Sequence, residues 1–178
     1  MKKIAFALIA GLGITSSVLA GQPPADKNTV VPVEPCFQDR EFQLDVFGNF
    51  QHFPNGKKQK TDNGGGGGLG LNYFFCRYAG LGIDASVNSL SHGLFDSTGS
   101  LILRYPLELG GVCLAPYAIG GGGVQTGVGR AAGIWHAGGG LEWRATPKFG
   151  IYGEGRYTWA NKNRQETSQA RLGLRFAF

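Results

Sequence analysis

Eight segments of this chain alternate apolar and polar residues with a period of two, and from residue 39 onward no stretch has the three-four spacing of an amphipathic helix. The segments span residues 40–50, 68–75, 80–87, 100–107, 114–124, 134–144, 150–159 and 169–178, and the fifth of them is apolar at both parities, so its facing is left open. Each is roughly ten residues long, which suits a tilted β-strand that crosses a bilayer. The pattern predicts an all-β fold, an eight-stranded antiparallel up-and-down transmembrane β-barrel.

The connections between these segments alternate in length. Long polar connections follow the first, third, fifth and seventh segments, whereas short ones follow the second, fourth and sixth. Outer-membrane barrels have long loops at one end and short turns at the other. The spacing therefore favours a membrane barrel over an irregular β-protein.

The N-terminal residues predict an exported protein. Residues 1–20, MKKIAFALIAGLGITSSVLA, have the basic start, the short apolar run and the small-residue cleavage site of a signal peptide. Residues 21–38 contain four prolines and are expected to form an extended periplasmic lead-in, which leaves residues 39–178 for the barrel. The net charge of +5 includes Lys2 and Lys3, so cleavage leaves +3, and nucleic acid is not an expected partner.

The charges within the strands decide which face of the sheet meets water. In a soluble barrel the apolar residues point inward, whereas in a membrane barrel they meet lipid and the charges pair inside. The polar positions hold four acids and five arginines, which is close to balance: Asp45, Asp84, Glu142, Glu154, Arg104, Arg144, Arg156, Arg171 and Arg175. Glycines within the strands and aromatic residues near the strand ends also favour the membrane barrel.

We therefore expect these nine charges to form a network that fills the lumen and leaves no wide pore. Glu142 and Glu154 are expected to pair with Arg144 and Arg156 across one short turn. A soluble secreted lipid-binding barrel, with the apolar residues lining a cavity, is the alternative that this assignment of faces opposes.

The sequence resembles the small outer-membrane β-barrels of Gram-negative bacteria, the class of outer membrane proteins A and X. The likeness rests on LAPYAIGGGGV at 114–124, on GGGLEWRATPKFGIYGEGRYTW at 138–159 and on RLGLRFAF at 171–178. It implies a monomer in the outer membrane, in contact with lipid and lipopolysaccharide, with both termini in the periplasm. It also implies that Phe176 and Phe178 form the C-terminal signal read by the barrel-insertion machinery.

One enzymatic alternative follows from the same class, which includes lipid A acyltransferases. His52, after the first segment, and Asp96 with Ser97, before the fourth, resemble the loop residues of those enzymes, and a histidine beside a serine hydroxyl suits acyl transfer. The amphipathic N-terminal helix of those enzymes is missing, so a non-enzymatic barrel is favoured. No cofactor is indicated. The spacing of the histidines predicts no metal site, and His136 is expected to be a hydrogen-bonded lumen residue.

The cysteines and the basic connections give the last predictions. Cys36, Cys76 and Cys113 all fall at the short-turn end, where the periplasm permits a disulfide. Cys36–Cys76 is the favoured pair because the first two strands are neighbours, and one thiol is left over. Basic residues in two long connections are candidates for binding lipopolysaccharide phosphates: Lys57, Lys58, Lys60, Lys162 and Arg164.

Overall fold

The computed structural model describes residues 35–52, 63–89, 94–127, 130–160 and 166–178, all within one compact unit, Glu34–Phe178. The predicted signal peptide, residues 1–20, and most of the predicted lead-in lie outside the described residues. No helix in the described part of the chain is long and apolar enough to span a bilayer.

The described residues form a single closed antiparallel sheet. Each strand pairs with the next one along the chain except at two places, where β4 pairs with β6 and β1 pairs with β9 to close the barrel. The strands are β1 Glu41–His52, β2 Gly64–Cys76, β3 Ala79–Asn88, β4 Leu94–Arg104, β5 Leu107–Leu109, β6 Val112–Gly127, β7 Arg130–Thr146, β8 Phe149–Ala160 and β9 Thr167–Ala177.

The barrel wall nevertheless has eight strands, as predicted. β5 pairs with β6 just beyond the stretch of β6 that pairs with β4, so β4 and β5 form one interrupted strand. The interruption falls at Tyr105 and Pro106, and proline lacks the backbone N–H that a continuous ladder requires. The predicted fold class is confirmed.

The two ends of the barrel differ in their connections. Three two-residue turns, 77–78, 110–111 and 147–148, lie at one end, together with residues 35–40 and Phe178. We call this the turn end, and we call the opposite end, with connections 53–63, 89–93, 128–129 and 161–166, the loop end. Gly110 and Gly111 both have positive φ, which explains two consecutive glycines in the middle turn.

The faces of the sheet are those of a membrane barrel. Large apolar side chains point outward, and Ile83, Trp135 and Leu172 are 63%, 67% and 67% exposed. Charged side chains point inward, and Asp45 and Glu142 are 5% and 0% exposed. The soluble-barrel alternative is therefore wrong, because it requires the apolar residues to line the interior.

β4 begins earlier than predicted. The sequence suggests a strand from residue 100, whereas the ladder with β3 begins at Leu94. The inward residues of this added stretch include Asp96 and Thr98, and Ser97 and Gly99 point outward. Leu94 points inward and Phe95 outward, and the residues that follow are small or polar on both faces, so the stretch has no hydrophobic alternation from which it could be predicted.

Glycines on the inner face make room for aromatic rings. A Cβ atom on Gly140 would lie 2.6 Å from the Tyr117 ring, and one on Gly173 would lie 2.6 Å from the Tyr152 ring. These rings, with Phe47, Phe74, Ile102 and Ile119, form the apolar core inside the barrel.

Candidate functional site in the barrel lumen

Six charged side chains form a continuous network in the lumen near the turn end, which we call the turn-end cluster. It contains three acids and three arginines: Glu41, Asp45, Glu142, Arg104, Arg144 and Arg175. Their side chains are at most 7% exposed. The three negative and three positive charges balance. Charges that are removed from water must be balanced in this way for the cluster to be stable.

The acids of this cluster bridge the arginines in sequence. Glu41 binds Arg104 at 3.0 Å and Arg144 at 2.5 Å. Glu142 then links Arg144, at 2.6 Å, to Arg175, at 2.7 Å. Asp45 completes the chain with two hydrogen bonds from Arg175, so β1, β4, β7 and β9 are joined across the interior.

Residues 35–38, which we call the plug segment, close this cluster toward the turn end. Phe37 is 1% exposed, and its ring lies 5.0 Å from the Arg104 guanidinium carbon and 4.4 Å from that of Arg144. Arg144 donates a hydrogen bond to the Cys36 carbonyl, and Arg104 donates one to the Gln38 carbonyl. The plug segment thus supplies acceptors and an aromatic face to arginines that would otherwise face the open end.

A disulfide fixes the plug segment, but it is not the predicted one. Cys36 bonds to Cys113 at the start of β6, with a Cα–Cα distance of 6.2 Å, and Cys76 is the free, half-buried thiol. The prediction of Cys36–Cys76 assumed that the residues before β1 stay beside β2. Instead Phe37 packs against Cys113 and Ala115, on the strand opposite β1 in the closed sheet. All three cysteines lie at the turn end, as predicted.

A second group of charges lies nearer the loop end, and we call it the mid-lumen cluster. It contains Asp84, Glu154, Arg156 and Arg171, so it is also balanced. Asp84 accepts from Arg156 at 2.9 Å and lies 3.0 Å from Arg171. The oxygen that accepts from Arg156, Oδ2, also accepts from the Thr98 hydroxyl. Glu154 binds Arg156 and accepts from Tyr117.

An aromatic layer lies between the two clusters. Arg175 of the turn-end cluster lies 4.4 Å from the centre of the Tyr152 ring, and Arg171 of the mid-lumen cluster lies 4.5 Å from the centre of the Phe47 ring. The aromatic rings contact the guanidinium planes in place of water. They therefore separate the two clusters of charges without leaving the arginines unsolvated.

All nine charges predicted for the network lie on the inner face, but two details differ from the prediction. Arg144 and Arg156 pair with Glu142 and Glu154 along their own strands, because residues two apart in a strand share a face. The residues opposite Glu142 and Glu154 are Tyr152 and Gly140, so the predicted pairing across the turn is wrong. Two further acids, Glu41 and Asp96, also lie on the inner face. Glu41 shares that face with Gln43 and Asp45 because the three residues are spaced two apart in β1.

A small polar cavity lies at the loop end of the lumen, above the mid-lumen cluster. It has room for about one water molecule. Asp96 and Gln51 line it and are 4% and 2% exposed. His136 and Gln169 line it as well, and Gln169 is the register partner of Gln51 on the neighbouring strand. His136 has one ring nitrogen 2.9 Å from the Ser100 hydroxyl, as a hydrogen-bonded lumen histidine should.

The residues proposed for acyl transfer are not brought together. Asp96 and Ser97 lie within β4 and not in a loop, and consecutive strand residues point to opposite faces. Asp96 is buried in the lumen, whereas Ser97 is exposed on the outer face. His52 is exposed at the end of β1 and bonds to Asn63 at 2.8 Å. The prediction that Asp96 and Ser97 lie in a loop is wrong.

Phe176 and Phe178 lie at the turn end of the last strand. The Phe176 ring packs 5.5 Å from that of Phe149 on the outer face. Phe178 follows β9, is 78% exposed and exchanges two backbone hydrogen bonds with Phe42 of β1. Within the described ranges, no group of three or more His, Cys, Asp or Glu is placed to hold a metal ion.

The fold is that of known small outer-membrane barrels. The N-terminal β-barrel domain of OprF from Pseudomonas aeruginosa matches with a TM-score of 0.64 and 17% identity, over 79% of this chain and 99% of that one. Neisserial surface protein A matches with a TM-score of 0.61 and 13% identity, over 77% and 97%. Ail, the attachment invasion locus protein of Yersinia pestis, matches with 0.53 and 18%, over 79% and 99%.

These structures define the class of fold, an eight-stranded barrel of the outer-membrane type, and the resemblance found in the sequence is confirmed at that level. No protein-family model and no curated protein sequence matches the chain.

Proposed function

We propose that this protein is a structural or surface-interaction barrel of the outer membrane of a Gram-negative bacterium, and that it forms no wide pore. The observation that carries the proposal is the arrangement of the two faces. Aliphatic and aromatic side chains cover the outside, and the ionised side chains pair inside. Lipid is the solvent that stabilises such a surface.

The filled lumen supports the absence of a wide pore. The turn-end cluster, the aromatic layer and the mid-lumen cluster follow one another along the barrel axis, and the plug segment covers the turn end. An eight-stranded barrel has an interior just wide enough for side chains to fill. Solutes the size of sugars therefore have no route through.

Fractionation and gel mobility test the membrane proposal. Cell envelopes are extracted in mild detergent, and boiled and unboiled samples are run on one gel. We expect the protein in the outer-membrane fraction with a band that shifts on boiling. Recovery of a free protein from the periplasm or the medium would contradict the proposal.

Swelling of vesicles tests the pore separately. Vesicles that contain the purified barrel are diluted into a sugar solution, with a general diffusion porin as the positive control. We expect no swelling above that of empty vesicles. Swelling comparable to that with the porin would overturn the closed lumen while leaving the membrane location intact.

The turn end is proposed to face the periplasm, since short turns lie on that side in outer-membrane barrels. A peptide tag is inserted between residues 56 and 57, in the β1–β2 connection, and the matched control has the same tag between Gly110 and Gly111. On intact cells we expect an antibody to label the first tag only. Labelling of the second tag alone would reverse the orientation.

Recognition by the barrel-insertion machinery is proposed to depend on the C-terminal aromatic residues. The exposed Phe178 side chain is available for such recognition, since its backbone already completes the pairing with β1. We expect Phe178→Ala to lower the amount of protein in the outer membrane, with Phe42→Ala as a control on the same rim. An equal loss in both variants would indicate a general defect of folding.

Lipopolysaccharide phosphates are the partner that we propose for the outer connections. Lys57, Lys58 and Lys60 lie between β1 and β2 in the sequence, and ammonium groups bind phosphate through charge-assisted hydrogen bonds. A structure of Ail has been determined with the heparin analogue sucrose octasulfate, a polyanion.

Replacement of these three lysines by glutamine tests the partner. We expect weaker capture of lipopolysaccharide by the purified barrel, and a loss that is largest at low salt. Lys148→Gln, at the turn end, is the control. Unchanged capture in the triple variant would contradict the proposal of lipopolysaccharide binding, but it would not affect the proposal of an outer-membrane barrel.

A further inference from the structure

Among the described residues, the buried charges of the lumen do not sum to zero. The turn-end cluster has three acids and three arginines, and the mid-lumen cluster has two of each. Asp96 is a sixth buried acid, and no arginine or lysine of the described residues forms an ion pair with it. One negative charge is therefore in excess, and it lies beside the loop-end cavity.

The oxygen atoms at this cavity are incompletely satisfied. One carboxylate oxygen of Asp96, Oδ2, accepts from Gln51 Nε2 at 3.1 Å and from Asn88 Nδ2 at 3.2 Å. The other, Oδ1, has no donor in hydrogen-bonding geometry among the described residues, and the amide oxygen of Gln51 has none either, although the Gln125 side chain also stabilises the carboxylate. The amide nitrogen of Gln169, in the same lining, has no acceptor among the described residues. Buried oxygens without a donor are costly unless a ligand or a water molecule binds them.

We propose that this cavity binds one monovalent cation, such as Na⁺, on Asp96 Oδ1 and Gln51 Oε1. Hard cations take oxygen ligands, and here a carboxylate and an amide oxygen are both free. A single carboxylate matches a single positive charge, and the space of about one water molecule suits an ion that has lost most of its hydration shell. The hydroxyl groups of Thr98, Thr158 and Thr167 line the same space.

The two arginines that line the cavity do not prevent this. Arg156 and Arg171 both bind Asp84, and Arg156 also binds Glu154, so their charges are balanced within the mid-lumen cluster. The excess charge at Asp96 is therefore the part of the local field that a cation would neutralise.

Thermal unfolding in different chloride salts tests the site. The purified barrel in non-ionic detergent is heated at one ionic strength in NaCl or in choline chloride, since choline is too large for the cavity. We expect unfolding about 2–4 °C higher in NaCl, because a ligand that binds the folded state stabilises it. The broadening of the ²³Na NMR signal by the protein gives a direct measure of binding.

Asp96→Asn removes the charge and keeps the shape. We expect this variant to lose both the Na⁺-dependent shift and the ²³Na broadening, while it still folds in choline chloride. Asp39→Asn, an exposed carboxylate at the turn end, is the matched control and should keep both effects.

Two outcomes would overturn the proposal. Equal unfolding temperatures of the unsubstituted protein in the two salts, without ²³Na broadening, would mean that a proton or a side chain of an outer connection balances Asp96. Sodium dependence that persists in Asp96→Asn would place the ion elsewhere. Neither result depends on where the barrel resides in the cell or on what its outer connections bind.

Discussion

Both ends of the lumen contain buried charged and polar residues, but these residues are paired more completely at the turn end than at the loop end. At the turn end, each of three acids binds arginine, and the plug segment covers the cluster with backbone carbonyls and the Phe37 ring. At the loop end, Asp96 has no arginine partner among the described residues, and several polar atoms around the cavity lack a donor or acceptor. The charges at the turn end are covered and paired, although the amide oxygen of Gln43 has no donor there, whereas the loop end has more polar atoms without a partner.

This difference indicates that the two ends of the barrel contribute differently to stability and to binding. Buried charges stabilise a fold only when every partner is present, so the turn end is the part where a change should cost most. Unsatisfied polar groups are found where proteins bind ligands or exchange water. The loop end is therefore the region in which binding can evolve without loss of the barrel.

The largest expected effect comes from one acid-to-amide change made at each end. Glu41→Gln leaves Arg104 and Arg144 without the carboxylate they share, and we expect a loss of about 3–5 kcal/mol in the free energy of unfolding. Asp96→Asn deprives no arginine of an ion pair, and we expect a change below about 1 kcal/mol in choline chloride. Unfolding by denaturant in detergent micelles measures both, and equal losses would abolish the contrast between the ends.

A smaller effect is expected from the disulfide. The Cys36→Ser, Cys113→Ser double variant should lose about 2–4 kcal/mol, because the bond closes a loop with a sequence separation of 77. The temperature at which the band shifts on unboiled gels should fall accordingly. Cys76→Ser is the control and should leave that temperature unchanged. Peptide mapping without reduction must recover Cys36 linked to Cys113, and recovery of Cys36 linked to Cys76 would refute the position of the plug segment.

The smallest effect is expected from an exposed ion pair at the same end. Arg77 and Glu108 lie 3.1 Å apart but are 37% and 35% exposed, so water already stabilises both charges. We expect Arg77→Gln to change the free energy of unfolding by less than about 1 kcal/mol. Arg104→Gln, the same substitution in the turn-end cluster, should cost several times more. Similar losses for the two would show that position at the turn end matters more than burial.

The barrel could be predicted from the sequence because a period of two is visible wherever one face is apolar. The strand number, the alternation of connections and the inward direction of all nine strand charges follow from that pattern. The start of β4 does not follow from that pattern, because Ser97 and Gly99 face outward there and the outer face is no more apolar than the inner one.

The contacts within the lumen could not be read from the sequence for a different reason. Which arginine meets which acid depends on strand tilt and on side-chain reach across the interior, as in the pair Arg144 and Glu41, which are 103 residues apart and lie on non-adjacent strands. The disulfide was mispredicted because β1 and β2 are adjacent in the sheet, whereas the chain before β1 crosses the mouth of the barrel. Neither feature has a local signal.

The bond between Cys36 and Cys113 also divides the barrel topologically. It makes a covalent ring that contains β1 to β5 and closes at the first residues of β6. Strands β7, β8 and β9 lie outside this ring, and the seam between β1 and β9 is held by non-covalent contacts, namely the backbone ladder and the Arg175–Asp45 ion pair. If the barrel opens at that seam, the first half stays enclosed and only the last hairpins are free to leave.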